Sequence, residues 1–313
     1  MNRADRPTAD PDQNPHYTAL LERARGLAPV RTAVVYPCSG ASLAAALQAA
    51  GLGLIEPVLI GPADAVRQAA DAAGLDIGGY TLLDACGAVA AASRAVALAA
   101  AGEVAALMKG SLHTDELMAA VVSRDGGLRT ARRASHAMLM GVPRHPKPFV
   151  ITDAAVNIAP DLATKRDIVQ NAIDLMHALG VATPKVALLA AVETVNPNMP
   201  ATLDAAALCK MAERGQITGG VLDGPLAFDN AISAEAARIK GIRSPVAGDP
   251  DILLAPALEA GNLLYKQLVH LSDAFAAGVV LGARVPVILT SRADSQTSRI
   301  ASCALARLAA AGR

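Results

Sequence analysis

Val285-Pro-Val-Ile-Leu-Thr-Ser-Arg-Ala-Asp-Ser295, near the end of a 313-residue chain, says more about the class of this protein than any other segment. Val285, Val287, Ile288 and Leu289 form a short apolar run with the length and composition of a fully buried parallel strand. The run stops at Thr290, Ser291, Arg292, Asp294 and Ser295. From Gln296 the apolar residues recur as Ile300, Cys303, Ala304, Leu308 and Ala311, which is helical spacing. The segment therefore reads strand, polar turn, helix. In open α/β sheets such a turn lies at the carboxyl edge, where ligands bind, and its hydroxyls, guanidinium and helix-start N–H groups favour an anion. A plainer reading is that Ser291 to Ser295 only cap a terminal helix, since Asp and Ser are preferred caps.

The rest of the chain repeats this alternation. After a helix around 17–27, strand-like runs at 32–36, 57–60, 80–83, 104–108, 149–152, 186–190, 217–222, 252–254, 278–281 and 285–289 have helical stretches between nearly all of them. That pattern predicts α/β architecture with parallel sheets covered on both faces. One interruption stands out: Gly126-Gly127, then Arg129, Arg132 and Arg133, then an apolar run at 135–140, then Pro143-Arg-His-Pro-Lys-Pro148. No long helix fits between 135–140 and 149–152, so these runs are expected to pair antiparallel at the crossing between two lobes. The lobes are then 16–145 with 285–313, and 146–284, with a cleft between them.

Composition narrows the functions. Hydrophobic residues make up 53% and aromatic residues 2%, with no Trp, so the core must be built from Ala, Leu, Val and Ile. Lys plus Arg and Asp plus Glu both number 28, and the formal net charge is zero. No field draws in nucleic acid or an anionic membrane, and stacking platforms are scarce. The Ala-rich run 85–101 is broken by Ser93 and Arg94 and is shorter than the ~20 apolar residues a bilayer requires. Cys38, Cys86, Cys209 and Cys303 lie far apart with no ligand spacing, which predicts reduced thiols in a cytoplasmic protein. Cys38 follows a strand but has no recognisable partner base, so it reads as structural. Residues 1–15, with Pro7, Pro11 and Pro15 among charged residues, read as a disordered tail and not a signal peptide.

Several strand ends carry chemistry. In Lys109-Gly-Ser-Leu-His-Thr-Asp115, Gly110 permits close backbone approach, while Lys109 and the hydroxyls of Ser111 and Thr114 suit phosphate oxygens. Thr114 or Asp115 would serve equally as an ordinary N-cap, and His113 as a hydrogen-bonding group or a general acid or base. Asp153 and Asn157 follow another strand. Asp223 ends a further one before a Gly224-Pro225 turn, with Asp229 available to cap a helix. These carboxylates are single and scattered, without a metal-binding spacing. Asn262, Tyr265 and Lys266 sit at i, i+3 and i+4 of one helix and predict a polar face, opposite Leu264, Leu268 and Leu271. Gly51-Leu-Gly53 lacks the third glycine of a dinucleotide loop, and there is no GxxxxGK[ST], GxSxG or HExxH.

Taken in order, Lys109-Gly110, Ser135-His136, Thr152-Asp-Ala-Ala-Val-Asn-Ile-Ala-Pro-Asp161, Asp223-Gly-Pro-Leu-Ala-Phe-Asp-Asn-Ala-Ile-Ser233, Gly261-Asn-Leu-Leu-Tyr-Lys266 and Ser291-Arg-Ala-Asp-Ser295 resemble the phosphate acetyltransferase and phosphate butyryltransferase family, with a lean to the butyryltransferases. The same domain also occurs behind an enoyl-CoA hydratase domain, and the Pro-rich tail would suit such a linker. The resemblance implies two α/β/α lobes of the isocitrate/isopropylmalate dehydrogenase-like fold and a homodimer with contacts in the second lobe. It implies reversible acyl transfer between coenzyme A and inorganic phosphate, with coenzyme A as a substrate and no metal or redox cofactor. It places Ser291 and Arg292 at the reacting groups. The Asp that acetyltransferases carry seven residues after that Ser is Ser298 here, which leaves Asp294 as the nearest candidate base. Substrate binding is expected at Lys109, His113 and Thr114, at Asn157 and Asp223, and at Asn262, Tyr265 and Lys266. The alternatives are an NAD- and metal-dependent dehydrogenase of the same fold, and a non-catalytic protein that binds coenzyme A or phosphate.

Overall fold

The computed structural model describes residues 14–290 and 294–312. In chain order the first part comprises α1 (Pro15–Arg25), β1 (Val30–Val35), α2 (Gly40–Gly51), β2 (Ile55–Gly61), α3 (Ala63–Ala72), β3 (Thr81–Asp84), α4 (Ala88–Ala100), β4 (Ala106–Lys109) and α5 (Thr114–Val121). Then come β5 (Ser135–Gly141), β6 (Phe149–Thr152), α6 (Leu162–Ala178), β7 (Lys185–Leu189), α7 (Pro200–Glu213), β8 (Val221–Leu226), α8 (Phe228–Ile232), α9 (Ala234–Ile239), β9 (Ile252–Leu254) and α10 (Leu258–Leu271). The chain closes with β10 (Phe275–Leu281), β11 (Val287–Ile288) and α11 (Gln296–Ala311).

Two compact units result. Among the described residues, a flanking unit holds 18–134 with those from 277 on, and an inserted unit holds 135–276 with 14–17. The divisions fall at 134/135 and 276/277, where the sequence reading put them at 145/146 and 284/285. Pairing explains the first shift: β5 joins β6 antiparallel, Ala137 opposite Thr152 and Met140 opposite Phe149, so it packs with the strand after it. Residues 1–13, most of the expected tail, lie outside the described residues, but Asn14 and Pro15 do not belong to a tail. Asn14 is buried, and its Nδ2 donates to the Gly141 carbonyl at 2.9 Å.

In the flanking unit the strand order is β3-β2-β1-β4-β11-β10. β1, β2, β3, β4 and β11 run parallel, and β10 pairs antiparallel with β11. β1, β2 and β4 are buried along almost every residue, as strands covered on both faces must be. α11 is buried along most of its length because it is apolar on all sides, and its one deep cation, Arg307, donates from Nη1 to the Gly53 carbonyl beyond α2 at 2.7 Å. The inserted unit has the order β5-β6-β9-β7-β8 around a core of Met140, Phe149, Ile151, Leu253 and neighbours.

One local reading is corrected. Gly224-Pro225 is not a turn after a strand at 217–222; it lies inside β8, which runs to Leu226. β8 ends the strand order of its unit, where a missing N–H is tolerated. Its register against β7 shifts between Ala187 and Leu189, and a Cβ on Gly224 would come within 2.6 Å of the Leu188 Cβ. Asp229, in turn, lies within α8 and pairs with Lys240 at 3.1 Å.

Candidate active site

The carboxyl ends of β1, β4 and β11 lie side by side in the flanking unit, because β4 pairs parallel with both of the others. Each is followed by a polar segment, and beyond it by the N-terminus of a helix: α2, α5 or α11. A cavity of about 440 Å³ lies there, lined by Ser39, Ala41, Ser42, Lys109, Gly110, Ser111, Thr290 and Arg299. Among the described residues its lining contains two cations, four hydroxyls and no carboxylate. Such an edge is where open α/β sheets bind ligands, and helix starts favour anions there.

Local sequence explains this geometry. Gly110 lets the chain after β4 lie against the end of β1: its N–H donates to the Val35 carbonyl at 2.9 Å, and a Cβ would stand 2.4 Å from that oxygen. No other residue fits so close an approach. The next N–H, of Ser111, reaches the Tyr36 carbonyl at 2.8 Å, which sets the Ser111 side chain beside α2. Ser39 is the N-cap of α2, accepting from the Ser42 N–H at 3.3 Å. The Ser111 hydroxyl donates to Ser39 Oγ at 2.9 Å, Ser39 Oγ and Ser42 Oγ are 3.0 Å apart, and Ser42 Oγ lies 3.3 Å from Ser111 Oγ. Lys109, buried at the end of β4, points its Nζ toward the Gly110 carbonyl at 3.3 Å.

The structure distributes the residues singled out from sequence unevenly. Lys109 lines the cavity. His113 and Thr114 do not; His113 is exposed at the N-cap of α5, with its N–H donating to Glu116 Oε2 at 2.8 Å. Ser291 and Arg292 lie outside the described residues. Asp294 precedes α11, and its carbonyl accepts from Arg299 Nε at 3.4 Å. Ser298, at the family's Asp position, is a buried helix-start residue whose N–H donates to Ser295 Oγ at 3.1 Å.

In the inserted unit Asn157 and Asn262 meet around one loop. The buried Asp153 carboxylate accepts from the N–H groups of Ala155, Val156 and Asn157 at 2.9, 3.0 and 3.2 Å, and from Asn157 Nδ2 at 2.6 Å. Asn262 Nδ2 donates to the Ala154 carbonyl at 3.1 Å. The expected polar face of α10 is corrected: Tyr265 is buried in the core cluster with Leu264 and Leu268 packed against that cluster, whereas Lys266 and Leu271 are exposed. The phenol ring supplies more apolar area than its one hydroxyl offsets, so it packs inward. Lys266 Nζ stands 6.0 Å from that ring. Asp223 sits within β8, apart from the loop of Asp153 in sequence, and its charge adds to burial in raising the Cys209 thiol to about 11.

Ser39, Ser42 and Arg299 escaped the sequence reading. Ser39 and Ser42 carried a signal, an N-cap serine directly after a strand and before an apolar helical run; Arg299 carried none, being one polar position in a mostly buried helix. Burial raises the Cys38 thiol, as suits a structural thiol and not a nucleophile. Among the described residues no three His, Cys, Asp or Glu side chains group as metal ligands, and no helix is long and apolar enough to cross a membrane.

Fold and cavity together define an α/β protein that presents cations, hydroxyls and helix starts at the carboxyl edge of a parallel sheet. Comparison with known proteins makes this specific. The profile of phosphate acetyl/butaryl transferases matches residues 87–307, and the chain belongs to that family. It is 58% identical over 303 residues to a phosphate acetyltransferase of Rhizobium meliloti, covering 97% of this chain and 96% of that one. It is 41% identical over 261 residues to a phosphate butyryltransferase of Clostridium acetobutylicum, covering 83% and 87%. The lean toward butyryltransferases is thus not matched by the higher identity, which here falls to an acetyltransferase. The crystal structure of a branched-chain phosphotransacylase from Enterococcus faecalis superimposes with a TM-score of 0.79 at 30% identity, over 90% of this chain and 99% of that one.

Proposed function

We propose that the protein is a phosphate acyltransferase that moves a short acyl group, acetyl to butyryl, reversibly between coenzyme A and inorganic phosphate. The observation that carries this is the 58% identity to a phosphate acetyltransferase over nearly the whole of both chains. A same-fold dehydrogenase is not favoured.

In the direction of acyl-CoA synthesis, the thiol sulfur of coenzyme A attacks the carbonyl carbon of the acyl phosphate. A C–S bond forms, the C–O bond to phosphate breaks, the thiol proton passes to a base, and phosphate leaves. Nothing is oxidised or reduced, so the step as written balances without a redox cofactor. A free thiol is poorly ionised at neutral pH, which gives a nearby carboxylate its role. Asp294 is our candidate base, Ser291 the donor to the developing oxyanion, and Arg292 the bidentate partner of phosphate. Lys109 adds positive charge at the same strand edge. Our reading extends to a cytoplasmic homodimer. The largely exposed Ile158, Ile239, Leu263 and Leu271 of the inserted unit support an apolar contact there.

The test is thiol release from acetyl-, propionyl- and butyryl-CoA with and without phosphate. Phosphate-dependent release is expected, at least 100-fold lower in Arg292→Ala with an unchanged circular dichroism spectrum. No release from any of the three thioesters, or reduction of a nicotinamide by a hydroxy acid instead, would reject the reading.

A further inference from the structure

We propose that the arginine cluster at the amino ends of β4 and β11 is a docking surface for an acidic protein segment, whose carboxylates meet Arg124, Arg129 and Arg284 while Arg132 and Arg133 add to the field. The surface lies away from the substrate cavity. As the chain enters β11, the Pro286 carbonyl accepts from the Leu107 N–H at 3.1 Å, and two residues earlier the Arg284 N–H donates to the Leu128 carbonyl at 2.8 Å. Arg129 forms an antiparallel bridge with Ala283. The cluster therefore stands where β4 begins and the cavity where it stops, with the four residues of β4, roughly 13 Å of strand, between them.

Charge concentration is the first observation. Residues 122–134 and 282–286 hold five of the chain's 28 basic residues and one of its 28 acidic ones, Asp125, so a neutral chain has gathered positive charge in one place. All five arginines are exposed. Local structural needs do not use them up. α5 ends just before this loop, and a Cβ on Gly127 would stand 3.3 Å from Ala100 Cβ at the end of α4, but each helix end offers only about half an elementary charge. Arg284 answers it, donating from Nη1 to the Gly127 carbonyl at 3.2 Å. Among the described residues no carboxylate pairs with Arg124, Arg129 or Arg284. Like charges held this close repel, so the cluster is a liability to the fold unless something negative covers it.

The second observation is that the loop is braced. Leu128 is fully buried, and the turn before it is made by Gly127 at φ 74°. Thr130 Oγ1 donates to the Gly282 carbonyl at 2.6 Å and accepts from the Arg132 N–H at 3.1 Å. Cations on a fixed backbone lose little freedom when a partner arrives. Every cation here is arginine and none is lysine, and the planar fork of arginine matches a carboxylate bidentately. Phosphate would match the fork as well, but the surroundings favour a protein segment. Neither stretch contains an aromatic residue to stack on a base, and Val122 is its only exposed large apolar side chain among the described residues, too little to anchor in a bilayer. A duplex or a membrane is also a broad negative face that would meet the acids carried by the rest of the chain, whereas a short acidic segment covers the cluster alone.

The test uses the full-length protein and a fluorescein-labelled peptide of alternating Glu and Gly, read by fluorescence anisotropy. The wild type should bind the peptide at low salt and release it as salt rises. Arg124→Glu/Arg129→Glu should weaken binding at least tenfold. Arg124→Lys/Arg129→Lys, which keeps the charge and loses the fork, should weaken it at least threefold. Both should keep the wild-type melting temperature and rate of thiol release, because they sit at the opposite strand ends from the cavity; Arg124→Gln/Arg129→Gln replaces the reversed pair if that one does not fold. No binding by the wild type, or undiminished binding in the folded Glu or Gln pair, would overturn the proposal, and lysines that bind as tightly as arginines would overturn the bidentate contact. Tighter binding of duplex DNA or of phosphatidylserine vesicles than of the peptide would overturn the choice of a protein partner. Loss of thiol release in a folded variant would place the cluster in the substrate site instead.

Discussion

The loop after β4 in the flanking unit and the loop after β6 in the inserted unit are built alike and used differently. Each begins at the end of a parallel-paired strand, and each is held against a glycine. Gly110 packs on the Val35 and Tyr36 carbonyls, while a Cβ on Gly261 would lie 2.3 Å from the Asp153 carbonyl. The first loop turns Ser111 toward a cavity, beside Lys109 at the strand's end, and leaves His113 at the N-cap of α5. The second turns its polar groups on itself, with the Asp153 carboxylate saturated by four donors of its own loop. A polar residue at a strand end is therefore a ligand-binding group only when the loop's own N–H groups have been satisfied by something else. After β4 the neighbouring strand's carbonyls do that, and the Ser111 side chain turns to Ser39 and the cavity.

The largest effect should follow Asp153→Ala. It strands three backbone N–H groups and Asn157 Nδ2, at a cost of about 3 kcal/mol in denaturant unfolding. A variant that keeps its stability but loses activity would erase the distinction between the loops. Gly110→Ala and Gly261→Ala should each destabilise by about 2 kcal/mol, because the new methyl meets backbone and not a flexible side chain. They should differ in ligand affinity: calorimetry is expected to show weakened phosphate or coenzyme A binding in Gly110→Ala alone.

Smaller effects test the inserted unit's polar edge and the thiols. Hydrogen bonds from Lys147 and then Lys185 hold the Asp249 carboxyl below its ordinary range. A depressed carboxylate contributes stability above its unfolded pKa, and that stability is lost as pH falls through the folded one. Melting curves from pH 7 to 3 should therefore drop less steeply in Asp249→Asn, by well under 1 kcal/mol because the pair is solvent-screened. A drop as steep as the wild type's would remove that linkage. Last, a disulfide reagent at pH 8 should label exposed Cys86 first. Burial raises Cys209 to about 11 and Cys303 to about 12. Rapid labelling of Cys303 in folded protein would contradict its burial.

Much of the fold was legible in the sequence. The strand and the helix read on either side of residue 290 are β11 and α11, with residues 291–293 of the turn between them outside the described residues, and the antiparallel pair 135–140 with 149–152 is β5 with β6. Lys109 could be placed at a strand end because a short apolar run stops there and a glycine comes next. Tyr265 was misplaced because i, i+3, i+4 spacing groups residues on a face without saying which way the face points, and an aromatic ring is driven inward by its area. Gly224-Pro225 was misplaced because Pro signals a turn unless the strand is at an edge, and edges are a property of the whole sheet.

Composition and periodicity, then, specify alternating parallel strands and helices, a chain without excess charge, and which residues stand at strand ends. They cannot say that β1, β4 and β11 are neighbours, since parallel pairing joins backbone groups far apart in sequence and the ladder bonds carry no side-chain identity. That adjacency brings residues 39, 109 and 299 to one cavity, and only the folded chain decides it.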